Sequence, residues 1–397
     1  MKEILLSVFC IWTLAIQGQL AYEGQVVDAQ SGNPIPFVNI GVVGRGIGTV
    51  SREDGRFLLE FRPGEVESGD LLRISSLGYT PREIPLAHLD TRLKVFVFRL
   101  EPEPISLSEV VVSSAELMEV EEEHGYPDLI GKGIGYWKDS VALGGELASL
   151  IRMRKGLYRL NSLFFHILEN PSDSVQLRIN FYSPNRNGGI PGENLNKSGK
   201  NMLHTVKAGT IFSVIDLKPY DLWVRDDFIV SLELLGVHGT PQVMLSLPAG
   251  EQPSGKSYRR YASQGDWETI DGAVVGFSVQ ATLFTDNPRR MPSPREVRKR
   301  LRSESEISGI VFSAGPALRG QKISQPMEGA TVINYTRNTT VQTDKWGRYR
   351  MKVAKGDILG VSYPGKYQLI VEVTEPRNFN FQLHSSRELN MQRIDAE

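Results

Sequence analysis

The sequence has a single cysteine among its 397 residues. Cys10 lies within an apolar stretch that we expect to be removed on export, so the mature chain would contain no cysteine. Disulfide bonds, thiolate catalysis and thiolate metal ligands are then excluded. An exported chain of this size without disulfides is more typical of a bacterial envelope than of an animal secretory pathway.

Long hydrophobic runs are also scarce. Residues 4–16 are apolar and follow Lys2, but they are too short to span a bilayer. We interpret residues 1–21 as a secretory signal peptide that is cleaved after Gly18 or Ala21; a buried N-terminal strand is the alternative. No later stretch approaches the roughly 18 apolar residues of a membrane helix. The sequence therefore predicts an exported protein of the periplasm, outer membrane or cell surface, with no transmembrane helix in the mature chain.

A bias toward one sign of charge is missing as well. The 45 lysines and arginines nearly balance the 46 aspartates and glutamates, and the formal net charge is -1. A chain-wide electrostatic preference for nucleic acid is therefore not expected. The hydrophobic content of 40% is sufficient for real cores, which argues against global disorder.

What the sequence does contain is a pattern that occurs twice. Its segments are residues 24–28, 34–40, 48–57, 69–70 and 74–79 in the first copy, and 309–313, 329–332, 343–349, 356–357 and 361–365 in the second. Asp54-Gly55 and Trp346-Gly347 occupy the same place between strand-like runs, where a hairpin favours glycine because glycine accepts a positive φ. Short runs of Val, Ile and Phe between turn residues, such as residues 56–61 and 71–75, predict an all-β sandwich for each copy. Residues 95–100 are apolar on both faces, which predicts a strand buried on both sides.

The region between the copies, residues 126–286, has a different strand pattern. Residues 175–182 alternate between apolar and polar side chains, as in a half-buried strand. Further strands are predicted at 157–168, 228–235 and 273–283, and alternation favours strand over helix at 147–153. Long Asn-, Gly- and Pro-rich loops such as 183–201 favour a jelly-roll sandwich. The predicted fold is thus all-β, with two transthyretin- or Ig-like sandwiches at 22–112 and 306–397 flanking a jelly-roll-like middle domain.

Two charged segments separate these domains. Residues 113–125 are acidic, which indicates one or more helical turns or a solvated linker. Residues 287–305 are basic, and such a strip can contact phosphates or anionic lipid headgroups; a solvated linker is the alternative. The absence of aromatic side chains that stack on bases argues against nucleic acid. The basic residues are Arg289, Arg290, Arg295, Arg298, Lys299, Arg300 and Arg302.

The first copy resembles the carboxypeptidase-regulatory-like domain that is common in Bacteroidetes envelope proteins. Residues 24–28, 34–40, 48–49, 54–57, 74–75 and 78–79 carry the resemblance. It implies a transthyretin-like sandwich of seven strands. The second copy is more divergent, because it lacks the Pro-Ile-Pro-Phe run and the Gly-Tyr pair.

Two further resemblances concern the neighbouring segments. The middle region is similar to a partner domain found beside this module, through residues 131–136, 164–166, 178–182, 216–217 and 263–265, and this similarity implies no established activity. Residues 107–112 resemble the segment that joins the module to the plug of TonB-dependent transporters, where an extended stretch can pair with TonB. The 285 residues that follow are too few for a plug and a large barrel, so a last strand and its exit are the alternative.

The family name suggests a zinc peptidase, and one His-x-x-Glu occurs at His166 and Glu169. Zinc needs convergent ligands around an open position. If both residues lie on one strand, they point to opposite faces and cannot share an ion. The sequence has no G-x-S-x-G, Walker A or dinucleotide motif. We therefore assign no catalytic residue, cofactor or metal ligand; Asp216, Asp226 and Asp227 are either a calcium cluster or ordinary loop carboxylates.

Aromatic residues near polar or glycine-rich sequence are the remaining route to function. Tyr136, Trp137, Trp223 and Trp267 are the candidate ligand-binding residues, because aromatic platforms on jelly rolls often face sugars; filling the core is the alternative. The sequence predicts a non-catalytic, exported binding or scaffold protein of the cell envelope, whose partner is an envelope protein or a glycan. A carbohydrate-binding accessory protein and a hydrolase with a site in the middle domain are the alternatives.

Overall fold

The computed structural model describes most of the chain after the predicted signal peptide. The described residues are 20–62, 64–89, 95–103, 117–126, 133–137, 143–186, 189–208, 210, 212–239, 244–293, 295, 303–318, 321–337, 339–364, 366 and 369–383. Regular structure in these ranges is strand apart from short 3-10 turns and single helical residues at 295 and 303, so the all-β prediction is confirmed. No helix in the described ranges combines the length and the apolar character needed to cross a bilayer. Residues 1–19 and the TonB-like segment 107–112 lie outside these ranges.

The chain divides into two compact units. The first consists of Met1–Pro104, Ala142–Gly145 and Arg260–Asp266, and the second of Ile105–Val141, Glu146–Arg259 and Trp267–Glu397. The first unit is therefore built from three separate stretches of sequence. The predicted domain borders at 112–126 and 286–306 stay predictions.

The first unit contains a sandwich of seven strands among its described residues. They are β1 (Leu20–Asp28), β2 (Asn39–Val42), β3 (Ile47–Val50), β4 (Arg56–Phe61), β5 (Leu71–Ser75), β6 (Arg82–Pro85) and β7 (Phe96–Leu100). One sheet has the order β4-β1-β7, with β1 antiparallel to β4 and parallel to β7, and the other has the order β3-β2-β5-β6. The apolar residues of each strand meet in one core between the sheets.

Two features of this sandwich bear on the sequence predictions. Strand β1 begins at Leu20, so cleavage after Gly18 would leave it whole, whereas cleavage after Ala21 would remove its first two residues. The prediction that β7 is buried on both faces is wrong, because Val97 is 56% exposed while Phe96 and Phe98 face the core. Strand β7 lies at the end of its sheet, and its outer face has no second layer over it in the described structure.

The second unit begins with the strands of the middle region. They are β8 (Met118–Gly125), β9 (Gly133–Trp137), β10 (Glu146–Ile151), β11 (Leu157–His166), β12 (Ser174–Pro184), β13 (Pro191–Asn194), β14 (Met202–Lys207), β15 (Phe212–Asp216), β16 (Trp223–Val224), β17 (Phe228–His238), β18 (Met244–Gly250), β19 (Ser257–Arg260), β20 (Glu268–Ile270), β21 (Val274–Val275) and β22 (Ser278–Thr285).

These strands form two large sheets and a small one. The first has the order β13-β12-β17-β10-β19-β20, with β14 also pairing β12, and the second has the order β15-β11-β22-β8, with β16 on β11. The small sheet is β21-β18-β9. The ring of Phe165 on β11 meets His204 on β14 edge to face at 6.1 Å, so the two large sheets pack face to face.

Residues 118–125 of the acidic segment form a strand, β8, rather than a helical turn or a solvated linker, and β8 pairs antiparallel with β22. Residues 113–116 lie outside the described ranges. The carboxylate of Glu121 accepts hydrogen bonds from Thr282 Oγ1 at 2.7 Å and Asn161 Nδ2 at 3.1 Å, and Glu123 accepts one from Ser278 Oγ at 2.5 Å. The prediction failed because the groups that bind these carboxylates are distant in sequence. Thr282 and Ser278 donate hydrogen bonds to Glu121 and Glu123 from more than a hundred residues away. In the basic segment, Arg290 donates to Tyr158 Oη at 2.6 Å, whereas residues 296–302 lie outside the described ranges.

The last part of the second unit repeats the topology of the first sandwich. Its strands are β23 (Ser305–Leu318), β24 (Gln321–Pro326), β25 (Thr331–Asn334), β26 (Thr339–Gln342), β27 (Arg348–Val353), β28 (Ile358–Ser362), β29 (Leu369–Glu372) and β30 (Phe381–Leu383). Strand β23 lies antiparallel to β27 and parallel to β30, as β1 does to β4 and β7. The second sheet has the order β26-β25-β28-β29. Gly55 and Gly347 both adopt a φ of +73°, which confirms the predicted turns.

Candidate functional site

A cleft of about 330 Å³ lies in the second unit. Strand β11 supplies Phe164 and His166, β15 begins with Phe212, and β28 begins with Ile358. The cleft therefore lies where the β15-β11-β22-β8 sheet of the middle region meets the start of β28 in the last sandwich. The lining comes from segments that are far apart in sequence.

The apolar side of the cleft is one shared cluster. Phe164 and Phe212 stack with ring centroids 6.1 Å apart, and Val214 completes the buried group. Tyr335, Ile358 and Ile370 from the last sandwich pack against it. Aromatic surface buried in this way holds the two sandwiches in contact without a disulfide.

The polar side of the cleft contains both engaged and open groups. The carboxylate of Asp357 accepts hydrogen bonds from Asn334 Nδ2 at 2.7 Å, from Ala354 N at 2.9 Å and from Arg337 Nε, so it is used for structure.

Burial raises the pKa of the Tyr126 phenol, which therefore stays a neutral donor to Leu150 O at 3.0 Å. Other polar lining groups include Gln280, His166, Lys355 and Glu372, of which the last two are exposed. The cleft combines an aromatic floor with hydrogen-bonding groups of both charges, as binding sites do.

The predicted His-x-x-Glu pair has a different geometry from the expected one. Strand β11 ends at His166, so the two residues do not share a strand. The His166 ring lies 4.7 Å from the ring of Phe212, and the backbone of Glu169 bridges to Ser246. Within the described ranges, no group of three or more His, Cys, Asp or Glu is close enough to hold a metal ion.

Of the four candidate aromatics, Trp223 and Trp267 lie on different sheets of the described structure. Trp223 on β16 packs against Phe284 with centroids 5.1 Å apart, and its indole donates to Asp221 Oδ1 at 2.9 Å. Trp267 packs edge to face on Tyr182 at 6.0 Å, on the other large sheet. Tyr136 and Trp137 lie in β9, and their side chains are outside the described part of the structure. A binding role for these four residues stays a prediction.

A buried polar group on the β12-β17-β10 sheet was missed by sequence reasoning. The guanidinium of Arg178 donates to both carboxylate oxygens of Glu233, at 2.7 and 2.6 Å, and both side chains are buried. Glu146 accepts from Tyr182 Oη at 3.1 Å, and Asn180 donates to Glu233 at 2.9 Å. Burial alone would lower the pKa of Arg178, but the carboxylate of Glu233 outweighs it, so the pKa is raised.

This group explains an error in the predicted strand. The alternation in residues 175–182 predicts a polar face in water, yet Arg178 and Asn180 are each only 6% exposed. The available signal was Glu233, a single carboxylate inside the apolar run 228–235. A charge in such a run needs a buried partner of opposite sign.

A second missed feature is a loop seated on glycines in the first unit. Gly41 on β2 and Gly48 on β3 are cross-strand partners. A Cβ on either would lie 2.9 Å from backbone atoms of Ser263 and closer still to its carbonyl oxygen. Gln264 O accepts from Gly44 N at 3.1 Å, and Gln264 Nε2 donates to Ser75 Oγ at 2.9 Å. The absence of two side chains thus leaves room for the backbone of Arg260–Asp266.

The first sandwich, with its seven strands and its Gly55 turn, can now be compared with known families. Residues 22–112 match the CarboxypepD_reg-like domain. The resemblance seen in the sequence is confirmed for this CarboxypepD_reg-like domain, whereas a Bacteroidetes envelope as its setting stays a prediction. Gly41 and Gly48, which leave the recess for the loop Arg260–Asp266, lie in the same domain.

Comparisons over the whole chain add little to this assignment. No curated protein matches the chain. Solved structures that it resembles include the major pilin subunit BcpA of Bacillus cereus (9% identity, 93% of this chain and 100% of that chain, TM-score 0.15). Another is the major pilin SpaD of Corynebacterium diphtheriae (7% identity, 92% of this chain and 97% of that chain, TM-score 0.15). A third is the structure of the Gx strain of infectious bursal disease virus (12% identity, 72% of this chain and 72% of that chain, TM-score 0.20). These TM-scores are too low to support any argument about function.

Proposed function

We propose that this chain is a non-catalytic binding or scaffold protein of the cell envelope and that the cleft is its binding site. The CarboxypepD_reg-like domain serves as a spacer or docking module. The bound partner is an envelope protein segment or a glycan. Export rests on the predicted signal peptide at residues 1–21.

One observation carries the proposal: the cleft is lined jointly by two sandwiches that share one apolar cluster. A ligand in it would contact the aromatic floor of Phe164 and Phe212 and the polar groups at its mouth. Asp357 is occupied by structural hydrogen bonds, and His166 packs on Phe212. The lining therefore offers groups that hold a ligand, and we assign none of them a role in bond cleavage.

Binding is tested with glycan and peptide arrays probed with the full chain. Lys355 is exposed at the cleft, so Lys355→Trp should obstruct the cleft without disturbing a core. Lys200→Trp is the matched control, because Lys200 is also exposed and does not line the cleft. We expect array ligands of the wild type to bind Lys355→Trp at least about tenfold more weakly and the control equally well.

Two outcomes contradict this function. Array ligands that bind both variants as well as the wild type would place the binding site outside the cleft. The hydrolase alternative is tested by measuring zinc content and peptide hydrolysis for the wild type and His166→Ala. Stoichiometric zinc and hydrolysis that are both lost in the variant would make the chain a metalloenzyme.

A further inference from the structure

A tryptophan is presented to solvent on a tightly bonded turn between β26 and β27. Trp346 is 52% exposed. The carboxylate of Asp344 accepts hydrogen bonds from Trp346 N at 2.9 Å and from Arg348 N at 2.8 Å, and Gly347 supplies the positive φ. The turn therefore fixes the backbone that presents the indole to solvent, although a side chain this large and apolar is normally buried.

Cations surround this indole and continue along β27. The ammonium of Lys345 lies 4.2 Å from the ring centroid and the guanidinium of Arg348 lies 5.2 Å from it. Strand alternation places Arg348, Arg350 and Lys352 on the exposed face, about 13 Å from first to last. Glu306 is 3.7 Å from Arg350, but both side chains are more than half exposed, so the pair is weak and leaves the guanidinium open to solvent.

The first sandwich shows that the fold does not require these residues. Its corresponding turn has the same glycine with the same φ of +73°, but Asp54 stands where the second copy has Trp346. On the following strand, Arg56 matches Arg348, but Leu58 and Glu60 stand where the second copy has Arg350 and Lys352. Since the same strand and turn form without Trp346, Arg350 and Lys352, these three side chains call for a different explanation from folding.

We propose that Lys345, Trp346, Arg348, Arg350 and Lys352, named here the Trp346 surface, bind the anionic headgroups of a phospholipid leaflet. Lysine and arginine near an anionic leaflet each add about fivefold in affinity. Tryptophan favours the headgroup level, where its ring is half in apolar surroundings. Lys345 and Arg348 already lie over the indole, which disfavours flat stacking of a sugar or a base and leaves insertion of its free edge.

The test is co-sedimentation of the full chain with vesicles of phosphatidylglycerol and phosphatidylcholine in equal parts, or of phosphatidylcholine alone. We expect binding to the anionic vesicles only, weakened by salt. The double variant R350E/K352E should lose at least about tenfold in affinity, because it reverses two charges. The matched control R56E/R99E changes exposed arginines of the first sandwich by the same total charge and should bind like the wild type.

A second readout follows the indole itself. Brominated lipid should quench part of the tryptophan fluorescence in the wild type, and that part should be missing in Trp346→Ala. Glu306→Gln replaces an exposed carboxylate next to Arg350 by a neutral side chain of similar size. This removes one negative charge from the surface and should raise vesicle affinity several-fold. This variant keeps the proposal testable if the double variant misfolds.

Several results would overturn the proposal. They are equal binding to both kinds of vesicle, wild-type affinity in R350E/K352E or quenching that persists in Trp346→Ala. Stronger binding to a sulfated polysaccharide, with the same dependence on Trp346, would assign the surface to a soluble polyanion instead. Vesicle binding is independent of the cleft, because none of the five residues lines it, so either proposal can fail alone.

Discussion

Replacing Gly41 by alanine tests whether the loop Arg260–Asp266 is seated on β2 and β3 as described. The new methyl group would enter the backbone of Ser263, which is fully buried. Backbone atoms cannot change rotamer as a side chain can, so the loop Arg260–Asp266 must move away from β2 and β3. Overpacking of this kind costs about 1–3 kcal/mol, and alanine recovers about 0.5–1 kcal/mol of the conformational cost of glycine in a strand. We expect a net loss of about 1–2 kcal/mol.

The same reasoning predicts how two substitutions combine. A methyl group on Gly48 meets the same Ser263 backbone, so Gly48→Ala alone should cost about as much as Gly41→Ala. Once the methyl group of one alanine has displaced the loop, the methyl group of the second alanine no longer meets the Ser263 backbone. The double variant should therefore be less destabilised than the sum of the single variants. Gly69→Ala is the control, because nothing lies within 4 Å of its added methyl.

Stability is measured by urea unfolding of the full chain, and the seating of the loop is followed by hydrogen exchange of the Gly44 amide. This amide should exchange faster in the variants, since its hydrogen bond to Gln264 O is broken when the loop is displaced. Wild-type exchange together with an unchanged unfolding midpoint in Gly41→Ala would refute the seating of this loop. Strictly additive losses would refute the shared target.

Three further substitutions test other parts of the fold. Glu233→Gln should lower the free energy of unfolding in urea by about 3 kcal/mol, because it leaves Arg178 charged, buried and unpaired. The control Glu268→Gln, in an exposed pair with Arg259, should change the free energy of unfolding by under about 0.5 kcal/mol. Burial lowers the pKa of His204 to about 4 from 6.5, so its protonation favours unfolding; stability should fall by up to about 3 kcal/mol between pH 6.5 and 4, and His204→Gln should remove that slope. Gly55→Val should cost roughly 1–3 kcal/mol, since valine is strained at a φ of +73°; an unchanged midpoint would contradict this.

The sandwiches were predictable because their signals are local. Strand β5 lies at 71–75 and β4 at 56–61, as the apolar runs predict, and both turn glycines have a positive φ. Such patterns depend on neighbours in sequence, namely alternation and the tolerance of glycine. The strand prediction at 147–153 is likewise confirmed by β10.

The predictions failed where a side chain depends on a distant partner. Glu121 accepts a hydrogen bond from Thr282, and the buried Glu233 is paired with Arg178, so the surroundings of both carboxylates are set by residues far away in sequence. The cleft was out of reach for the same reason, because its lining combines residues from Glu123 to Glu372. No periodicity within one segment reports which segments will meet.

The discontinuous first unit has a consequence for the order in which the protein folds. Residues up to Pro104 can form their strands early, but the loop that fills the Gly41 and Gly48 recess lies at Arg260–Asp266. During synthesis, the N-terminal sandwich therefore waits for more than 150 further residues before its last backbone contacts can form. In that interval the recess at Gly41 and Gly48 lacks the loop that fills it, so the folding intermediate exposes strand surface on which other chains can aggregate.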